Sequence, residues 1–275
     1  MKVAVIQLAY DDHEPMAERV ARAGDLVRAQ RGHDLVILPE LWPMTGFDYR
    51  RWDGLAEALD LESVGEDGNP SIVAAMARAA RDAGVLLHMG SLVERLKAPG
   101  PEGHSLSNTS VVLSPAGDPV AIYRKVHRFG FGSGEPKLME AGTEPLARVG
   151  LHSQGATAML STCYDLRFPE LYRRQVSAGA EVFLVPAAWP AARIGHWSLL
   201  GRARAIENQC VLIACNTAGT HAGYEMGGRS QVVSARGEVL AEAGAGQEVL
   251  SVDVDLADMA AYRQEFPVLA DRRLP

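Results

Sequence analysis

The sequence has little of what marks a nucleic-acid or membrane protein. It carries 27 Lys and Arg against 34 Asp and Glu, a formal net charge of -7, and the arginines are dispersed among acids. Binding to a phosphate backbone depends on clustered Lys and Arg, so no nucleic-acid partner is expected. No apolar run approaches the roughly 20 residues of a membrane-spanning helix. The short apolar run after Met1 is followed by acids, which predicts a first strand rather than a leader.

Cysteine is equally scarce. The residues of this type, an odd number without regular spacing, predict free thiols rather than a disulfide framework, and they are Cys163, Cys210 and Cys215. Free thiols are typical of a reducing cytoplasm. The sequence has no CxxC, no histidine paired with an acid at metal-ligand spacing, and no complete dinucleotide fingerprint in GFGSGE. We therefore expect no metal and no cofactor.

What the sequence does contain is a regular alternation of short apolar, strand-like runs with helix-like segments. This alternation predicts a layered α/β or α+β fold. No linker divides the chain, so we expect a single domain over residues 1–275. Two stretches, VVLSPAGDPVAIYRK and QVVSARGEVLAEAG, each predict a strand, a glycine-containing turn and a strand. They hint at two similar halves, although two ordinary hairpins explain the same pattern.

Three reactive residue types occur where predicted strands end. Glu40 follows DLVILP, Lys125 ends GDPVAIYRK, and Cys163 follows ATAMLST. In layered α/β proteins the carboxyl ends of strands form the crevice that a ligand enters. A base, a cation for a developing oxyanion and a thiol are the groups that acyl transfer through a thioester requires. A helix directly after Cys163 would also favour its thiolate form.

None of these positions is specific by itself. Cys163 could equally be a small buried residue, which is how we interpret Cys210 and Cys215 in the apolar stretch CVLIAC. Glu40 could be an exposed acid at a strand end, and Lys125 a solvated cation. Histidine is the usual base for a cysteine nucleophile, and the candidates for that role are His127, His196 and His221. Local sequence leaves these alternatives open.

Three separated blocks resemble the catalytic blocks of the nitrilase superfamily, the carbon-nitrogen hydrolases. They are LPE around Glu40, YRKVHRF around Lys125 and STCYDLRFPELYR around Cys163. The likeness extends to AVIQLA, PAAWP and HWSLLGRARAIENQ, over essentially the whole chain. The resemblance implies a four-layer α-β-β-α sandwich and a Glu-Lys-Cys triad of these three residues. The histidines would then not act as the base.

The resemblance also implies a role for each group. The cysteine would attack an amide or nitrile carbon, and the glutamate would take and return the proton. Lys125 and the backbone N–H of Tyr164 would stabilise the oxyanion. Family members carry a second glutamate between the lysine and the cysteine, and Glu135 fits that pattern. Met139 replaces the usual phenylalanine of the pattern, and Glu140 is a nearby competitor.

The segment after the cysteine indicates a branch of the family. YDLRFPE resembles the branch of omega-amidases and deaminated-glutathione amidases, whereas nitrilases and N-carbamoyl amino acid hydrolases have other residues there. AAWPAARIGHW resembles bacterial omega-amidase-like proteins, which implies a small omega-amide of a dicarboxylate such as 2-oxoglutaramate. The alternatives are a deaminated-glutathione amidase, an N-carbamoyl amino acid hydrolase and a nitrilase. A catalytically silent binding protein is disfavoured because the triad residues are intact.

An anionic substrate requires a cation near the site, and the candidates are Arg167, Arg193 and Arg202. Arg167 could instead form a structural ion pair with Asp165 or Glu170. Trp189 follows a predicted strand exit and is expected to line the pocket. The resemblance further implies a homodimer or larger homo-oligomer through the helices that flank the cysteine strand. The C-terminal segment, about residues 257–275, is a candidate subunit contact.

Overall fold

Two β-sheets form the centre of the structure, a computed structural model that describes residues 1–64, 68–151 and 155–274. The strands are β1 (Lys2–Gln7), β2 (Leu35–Ile37), β3 (Glu57–Ala58), β4 (Leu86–Arg95), β5 (Leu106–Leu113), β6 (Pro119–Arg124), β7 (Arg148–Leu151), β8 (Ala156–Leu160), β9 (Val182–Pro186), β10 (Val211–Cys215), β11 (Thr220–His221), β12 (Tyr224–Glu225), β13 (Gln231–Val233), β14 (Val239–Glu242) and β15 (Glu248–Asp253). The first sheet has the order β15-β1-β2-β4-β5-β6, with β3 beside β4, and the second has the order β14-β13-β10-β9-β8-β7. Strands β11 and β12 form a separate hairpin.

Helices cover the outer face of each sheet. Within the described ranges they are α1 (Met16–Arg28), α2 (Trp52–Leu55), α3 (Ile72–Ala83), α4 (Glu135–Leu138), α5 (Pro169–Ser177), α6 (Ile194–Asn208) and α7 (Leu256–Glu265). Helices α1 and α3 pack on the first sheet, and α5 and α6 pack on the second. None of the described helices is long and apolar enough to cross a bilayer.

The strands alternate between two buried faces, which produces the layers. In β1, Val3 and Val5 pack against the second sheet, whereas Ala4 and Ile6 pack against the helices of the first. Each fully buried aliphatic side chain of this kind contributes about 1.5–3 kcal/mol of hydrophobic stabilisation. The arrangement is an α-β-β-α sandwich, so the fold implied by the resemblance is confirmed.

The two similar stretches of sequence both form hairpins at sheet edges. Strands β5 and β6 end the first sheet, and strands β13 and β14 end the second. Their turns have the same hydrogen bonds, since Gly117 N donates to Ser114 O at 2.8 Å and Gly237 N donates to Ser234 O at 2.9 Å. Both glycines have positive φ, 86° and 81°. The two halves therefore use one turn design, each on its own sheet.

The loop that carries Glu40 lies directly on β4. Ser91 N donates to Pro39 O at 3.3 Å, and the Ser91 hydroxyl accepts from Leu41 N at 3.1 Å. This contact requires a glycine at position 90, where φ is 73° and an added Cβ would lie 1.8 Å from the Pro39 carbonyl oxygen. The close approach of β4 therefore fixes the backbone on either side of Glu40.

Replacing Gly90 by Ala should displace this loop. Gly84 is the matched control, because its φ is 71° and nothing lies within 4 Å of an added Cβ. Gly84→Ala should cost about 1–2 kcal/mol through its left-handed backbone alone. Gly90→Ala should cost clearly more in urea unfolding and should also lower any activity that depends on the placement of Glu40. Equal destabilisation by the two variants, with activity retained in both, would show that the loop accommodates a Cβ beside the Pro39 carbonyl oxygen.

Candidate active site

Four sequence-predicted residues meet at one end of the two sheets. Glu40 follows β2, Lys125 follows β6, Glu135 begins α4 and Cys163 follows β8. Lys125 Nζ lies 2.8 Å from Glu40 Oε1 and 2.8 Å from Glu135 Oε2. The exposed fractions are 3% for Glu40, 2% for Lys125, 3% for Glu135 and 8% for Cys163. The structure thus brings these four residues together in one buried cluster.

Glu40 is held by main-chain contacts from the opposite sheet. Its N–H donates to Ala187 O at 3.3 Å, and its Oε2 accepts from Ala188 N at 2.8 Å. Both partners directly follow β9 of the second sheet. The carboxylate is therefore oriented at the junction of the two sheets, with one oxygen bound to Lys125.

Glu135 belongs to the cluster, and its sequence competitor does not. The backbone N–H of Phe129 donates to the Glu135 carboxylate, and Glu135 N donates back to Phe129 O at 3.1 Å. Glu140 instead accepts from Glu102 N at 2.8 Å and from His104 N at 3.2 Å. Glu140 therefore holds a neighbouring loop, and Glu135 is the second carboxylate beside Lys125.

The backbone at Cys163 is unusual. Its φ is 48°, in the left-handed region, and it begins a 3₁₀ turn over Cys163–Arg167. The buried carboxylate of Asp165 holds this turn, since it accepts from Thr162 N at 2.9 Å and from Tyr123 OH at 2.7 Å. It also accepts from His127 N at 2.9 Å. Asp165 therefore ties the turn on the second sheet to the strand end that carries Lys125.

The expectation of a stabilised thiolate at Cys163 is wrong for the resting structure. Burial raises the pKa of the Cys163 thiol well above its ordinary value, and the charge of Glu40 raises it further. A 3₁₀ turn of five residues replaces the expected helix start, so little helix dipole is available to offset these effects. The thiol is protonated at rest, with a carboxylate beside it that can accept the proton.

Lys125 and Glu135 determine each other's charge. Burial by itself lowers the pKa of Lys125, but the charges of Glu135 and Glu40 outweigh it and raise the pKa well above its ordinary value. Burial also raises the pKa of Glu135, and the Lys125 ammonium opposes that rise. Removing one member would leave a buried charge uncompensated, which is strongly destabilising.

A pocket opens onto the cluster, and the space in it, counted together with the solvent at its mouth, is about 410 Å³. Trp189 lines it, as the sequence predicts, and so does Tyr164. Three further aromatic side chains line the pocket and were not predicted from the sequence; they are Phe47, Tyr49 and Phe129. Phe129 lies inside the YRKVHRF block and could have been found there. The other two lie in the loop after Glu40, where no periodic pattern marks a side chain as pocket-facing.

Two of the three candidate arginines line this pocket. Arg167 Cζ lies 4.7 Å from the centre of the Trp189 ring, and Arg193 Cζ lies 5.6 Å from the centre of the Phe129 ring. In the part of the chain that the structure describes, Arg167 forms no ion pair with Asp165, which binds His127 instead. Arg202 does not line the pocket, and its Nε donates to Gly237 O at 3.2 Å.

The histidines lie apart from the thiol, and no described histidine lines the pocket. His127 binds Asp165 at 2.7 Å, and His221 stacks on Tyr10 with the ring centres 4.2 Å apart. Nδ1 of His196 faces the Arg167 guanidinium at 3.3 Å. None of them is placed to act as the base for Cys163.

The other two cysteines are core residues. Cys210 Sγ donates to Ala180 O at 3.3 Å, and Cys215 Sγ donates to Ile6 O at 3.2 Å. Burial raises the pKa of Cys210 to about 12 and that of Cys215 further still. Both thiols are thus buried core residues, as the apolar stretch CVLIAC predicts.

A pocket with a buried thiol, two carboxylates and an ammonium is a site for acyl transfer, and the similarity to known proteins agrees. The sequence pattern of the carbon-nitrogen hydrolases matches residues 2–264. The chain belongs to the carbon-nitrogen hydrolase family. The class implied by the resemblance, a hydrolase acting on amides, is thereby confirmed.

Particular relatives are similar to this chain over most of their length. The chain is 42% identical over 275 residues to 2-oxoglutaramate amidase from Paenarthrobacter nicotinovorans, which covers 99% of this chain and 90% of the relative. It is 33% identical over 277 residues to 2-oxoglutaramate amidase from Bacillus subtilis, and the alignment covers 99% of this chain and 98% of the relative. A solved structure is also similar, that of XC1258 from Xanthomonas campestris, a member of the same superfamily. It superposes with a TM-score of 0.85 at 29% identity, over 100% of this chain and 98% of XC1258.

Glu40→Gln should lower the pKa of the Cys163 thiol, because the variant removes the negative charge beside it. The measurement is an ultraviolet titration of the thiolate, compared with the same variant carrying Cys163→Ser. Amide hydrolysis should be lost at the same time, since no carboxylate remains to move the proton. A thiol pKa equal to or above that of the unsubstituted protein would contradict the assigned contact.

Proposed function

We propose that the chain hydrolyses the amide C–N bond of a small carboxylated omega-amide such as 2-oxoglutaramate and releases ammonia through a thioester on Cys163. One observation carries the proposal. The buried thiol shares a pocket with the Glu40 carboxylate and the Lys125 ammonium, and arginines line the same pocket. The pocket therefore combines the groups of amide hydrolysis with cations for a second, anionic end of the substrate.

In the first half of the reaction Glu40 accepts the proton of the thiol while Cys163 sulfur bonds to the amide carbon. The oxyanion that forms is stabilised by Lys125 and by the backbone N–H of Tyr164. The first hydrogen bond of the 3₁₀ turn runs from Asp165 N to Thr162 O at 3.0 Å, so the N–H of Tyr164 precedes it and is not used by the turn.

The first half ends when Glu40 returns its proton to the amide nitrogen as the C–N bond breaks, so that ammonia leaves and the acyl group remains on Cys163 as a thioester. The second half of the reaction cleaves this thioester. Glu40 then accepts a proton from a water molecule whose oxygen bonds to the thioester carbon. The C–S bond breaks, a carboxylic acid is released, and Cys163 regains its proton. Glu135 keeps Lys125 charged and in place through both halves.

The substrate class is supported by the pocket and by the relatives. Two relatives that the chain matches over nearly its whole length are 2-oxoglutaramate amidases. A substrate of this class has a carboxylate at the end opposite its amide. Arg167 and Arg193 would bind that carboxylate, and Trp189 would pack against the carbon atoms of the substrate between its two ends.

We also propose that the chain associates as a homodimer or larger oligomer in the cytoplasm. Helix α6 exposes Leu199 at 67% and Ile206 at 49% on the side away from the second sheet, which supports a contact there. The C-terminal segment binds its own chain, since Arg263 Nη2 donates to Ala180 O at 2.8 Å. Pro275 lies outside the described residues. Sedimentation showing only monomer at micromolar concentration would refute the assembly.

A panel of amides tests the proposed activity. 2-Oxoglutaramate should give the fastest ammonia release, ahead of a nitrile, a deaminated-glutathione analogue and an N-carbamoyl amino acid. Cys163→Ala should abolish that release, and a trapped acyl group should add its mass to Cys163 in the unsubstituted protein. Undiminished release by Cys163→Ala would refute the thioester route, and a nitrile or carbamoyl preference would refute the substrate class.

Arg193→Gln and Arg167→Gln should each weaken binding of the anionic substrate. A lost charge-assisted hydrogen bond corresponds to a rise in KM of about tenfold or more. The KM for an uncharged amide of similar length should change little. Arg202→Gln is the matched control, because that side chain binds Gly237 O outside the pocket. Equal effects on charged and uncharged amides would mean that the pocket arginines do not bind the carboxylate.

A further inference from the structure

The side chain of Asn108 lies between the two carboxylates of the site. Asn108 is on β5 and is 2% exposed. Its Nδ2 donates to Glu40 Oε1 at 2.8 Å and to Glu135 Oε1 at 2.7 Å. Both N–H groups of this one amide therefore donate to the two acidic residues of the cluster.

Asn108 and Lys125 share the same two acceptors. Lys125 Nζ lies 2.8 Å from Glu40 Oε1 and 3.1 Å from Glu135 Oε1, the oxygens that Asn108 also binds. The two donors and two acceptors close a ring of four hydrogen bonds. The main chain adds a fifth contact, because Lys125 N donates to Asn108 O at 2.9 Å. Asn108 thus contacts three members of the cluster.

The orientation of the amide follows from these contacts. A flipped amide would place Oδ1 against two carboxylate oxygens, which repel it, so the Nδ2 donations fix the orientation. Oδ1 is buried and has no hydrogen-bond partner among the described residues. A buried acceptor without a partner destabilises a protein. The donations to the two carboxylates therefore dominate the placement of this side chain.

We propose that Asn108 is a positioning residue that holds the Glu40 and Glu135 carboxylates at a fixed separation and orientation. The inference rests on the proposed function, in which Glu40 must be ionised to accept the thiol proton. Asn108 supplies two N–H bonds without adding charge. Lys125 consequently need not hold both carboxylates alone. A hydrophobic residue would supply no donor, and an acid would add a third negative charge.

This role has a signature in pH dependence. Hydrogen bonds to an ionised carboxylate lower its pKa, so their loss raises it. Asn108 acts in this direction on the pKa of Glu135, against the larger effect of burial, which raises it. The other titratable groups near the carboxylates are the Lys125 ammonium, the neutral Cys163 thiol and the phenols of Tyr49 and Tyr10. Without Asn108, a higher pH should be needed to ionise Glu135, whose charge holds Lys125 beside Glu40.

Two substitutions at Asn108 and one control test the proposal. Asn108→Leu keeps the size and removes both donors, and Asn108→Asp keeps the shape and adds a charge. Ser107→Ala is the control, because Ser107 is the preceding buried residue of β5 and its hydroxyl has no partner among the described residues. The readouts are kcat and KM for the amide against pH, and the pH dependence of Cys163 alkylation by iodoacetamide.

In Asn108→Leu the acid limb of both profiles should move to higher pH, because loss of the donor raises the pKa of Glu135. Its kcat should fall by about a hundredfold or more, with KM changed by less than about threefold, because the substrate is not contacted. Asn108→Asp should move the limb further. Ser107→Ala should match the unsubstituted protein in both readouts.

A role in packing alone would lower the melting temperature and leave the acid limb in place, and that result would overturn the proposal. Should Asn108→Leu not fold, Asn108→Asp decides the question by itself. The alkylation profile requires no amide turnover. A protein that hydrolyses none of the amides but shows the shifted alkylation limb would therefore refute the proposed function and still support the role of Asn108.

Discussion

The buried ammonium of Lys125 between two carboxylates is the interaction on which the rest of the site depends. Three charged groups are removed from water here, and only their mutual contacts and the main-chain donors around them offset the loss of hydration. Those donors come from elements far apart in the chain, including Ala188 and Phe129. The cluster is consequently stable only when both sheets are docked and the loops around it are closed.

This dependence explains which parts of the site the sequence could reveal. Glu40, Lys125 and Cys163 each follow a strand, and strand exits are visible in the local pattern of apolar residues. Their order and spacing also carry the family resemblance. The layers of the fold could be predicted for the same reason, since they follow from the alternation of strands and helices.

The remaining features arise from contacts between distant residues. Asn108 is 68 residues from Glu40 in the sequence and meets it only because β5 lies beside β4. Local sequence allows an ion pair of Arg167 with Asp165, but Tyr123 on β6 and His127 just after it bind that carboxylate instead. The protonation of Cys163 is not visible in the local sequence, because burial and the Glu40 carboxylate, which come from distant residues, raise the pKa of the thiol.

The protonated state of Cys163 at rest has a consequence for the durability of the protein. Oxidation by peroxide acts on the thiolate and increases with its exposure. A thiol with a raised pKa and 8% exposure gives such oxidants little to attack. In the proposed reaction the thiolate exists only while a substrate carbon is there to receive it. The same carboxylate that activates the sulfur during turnover therefore protects it from damage between turnovers.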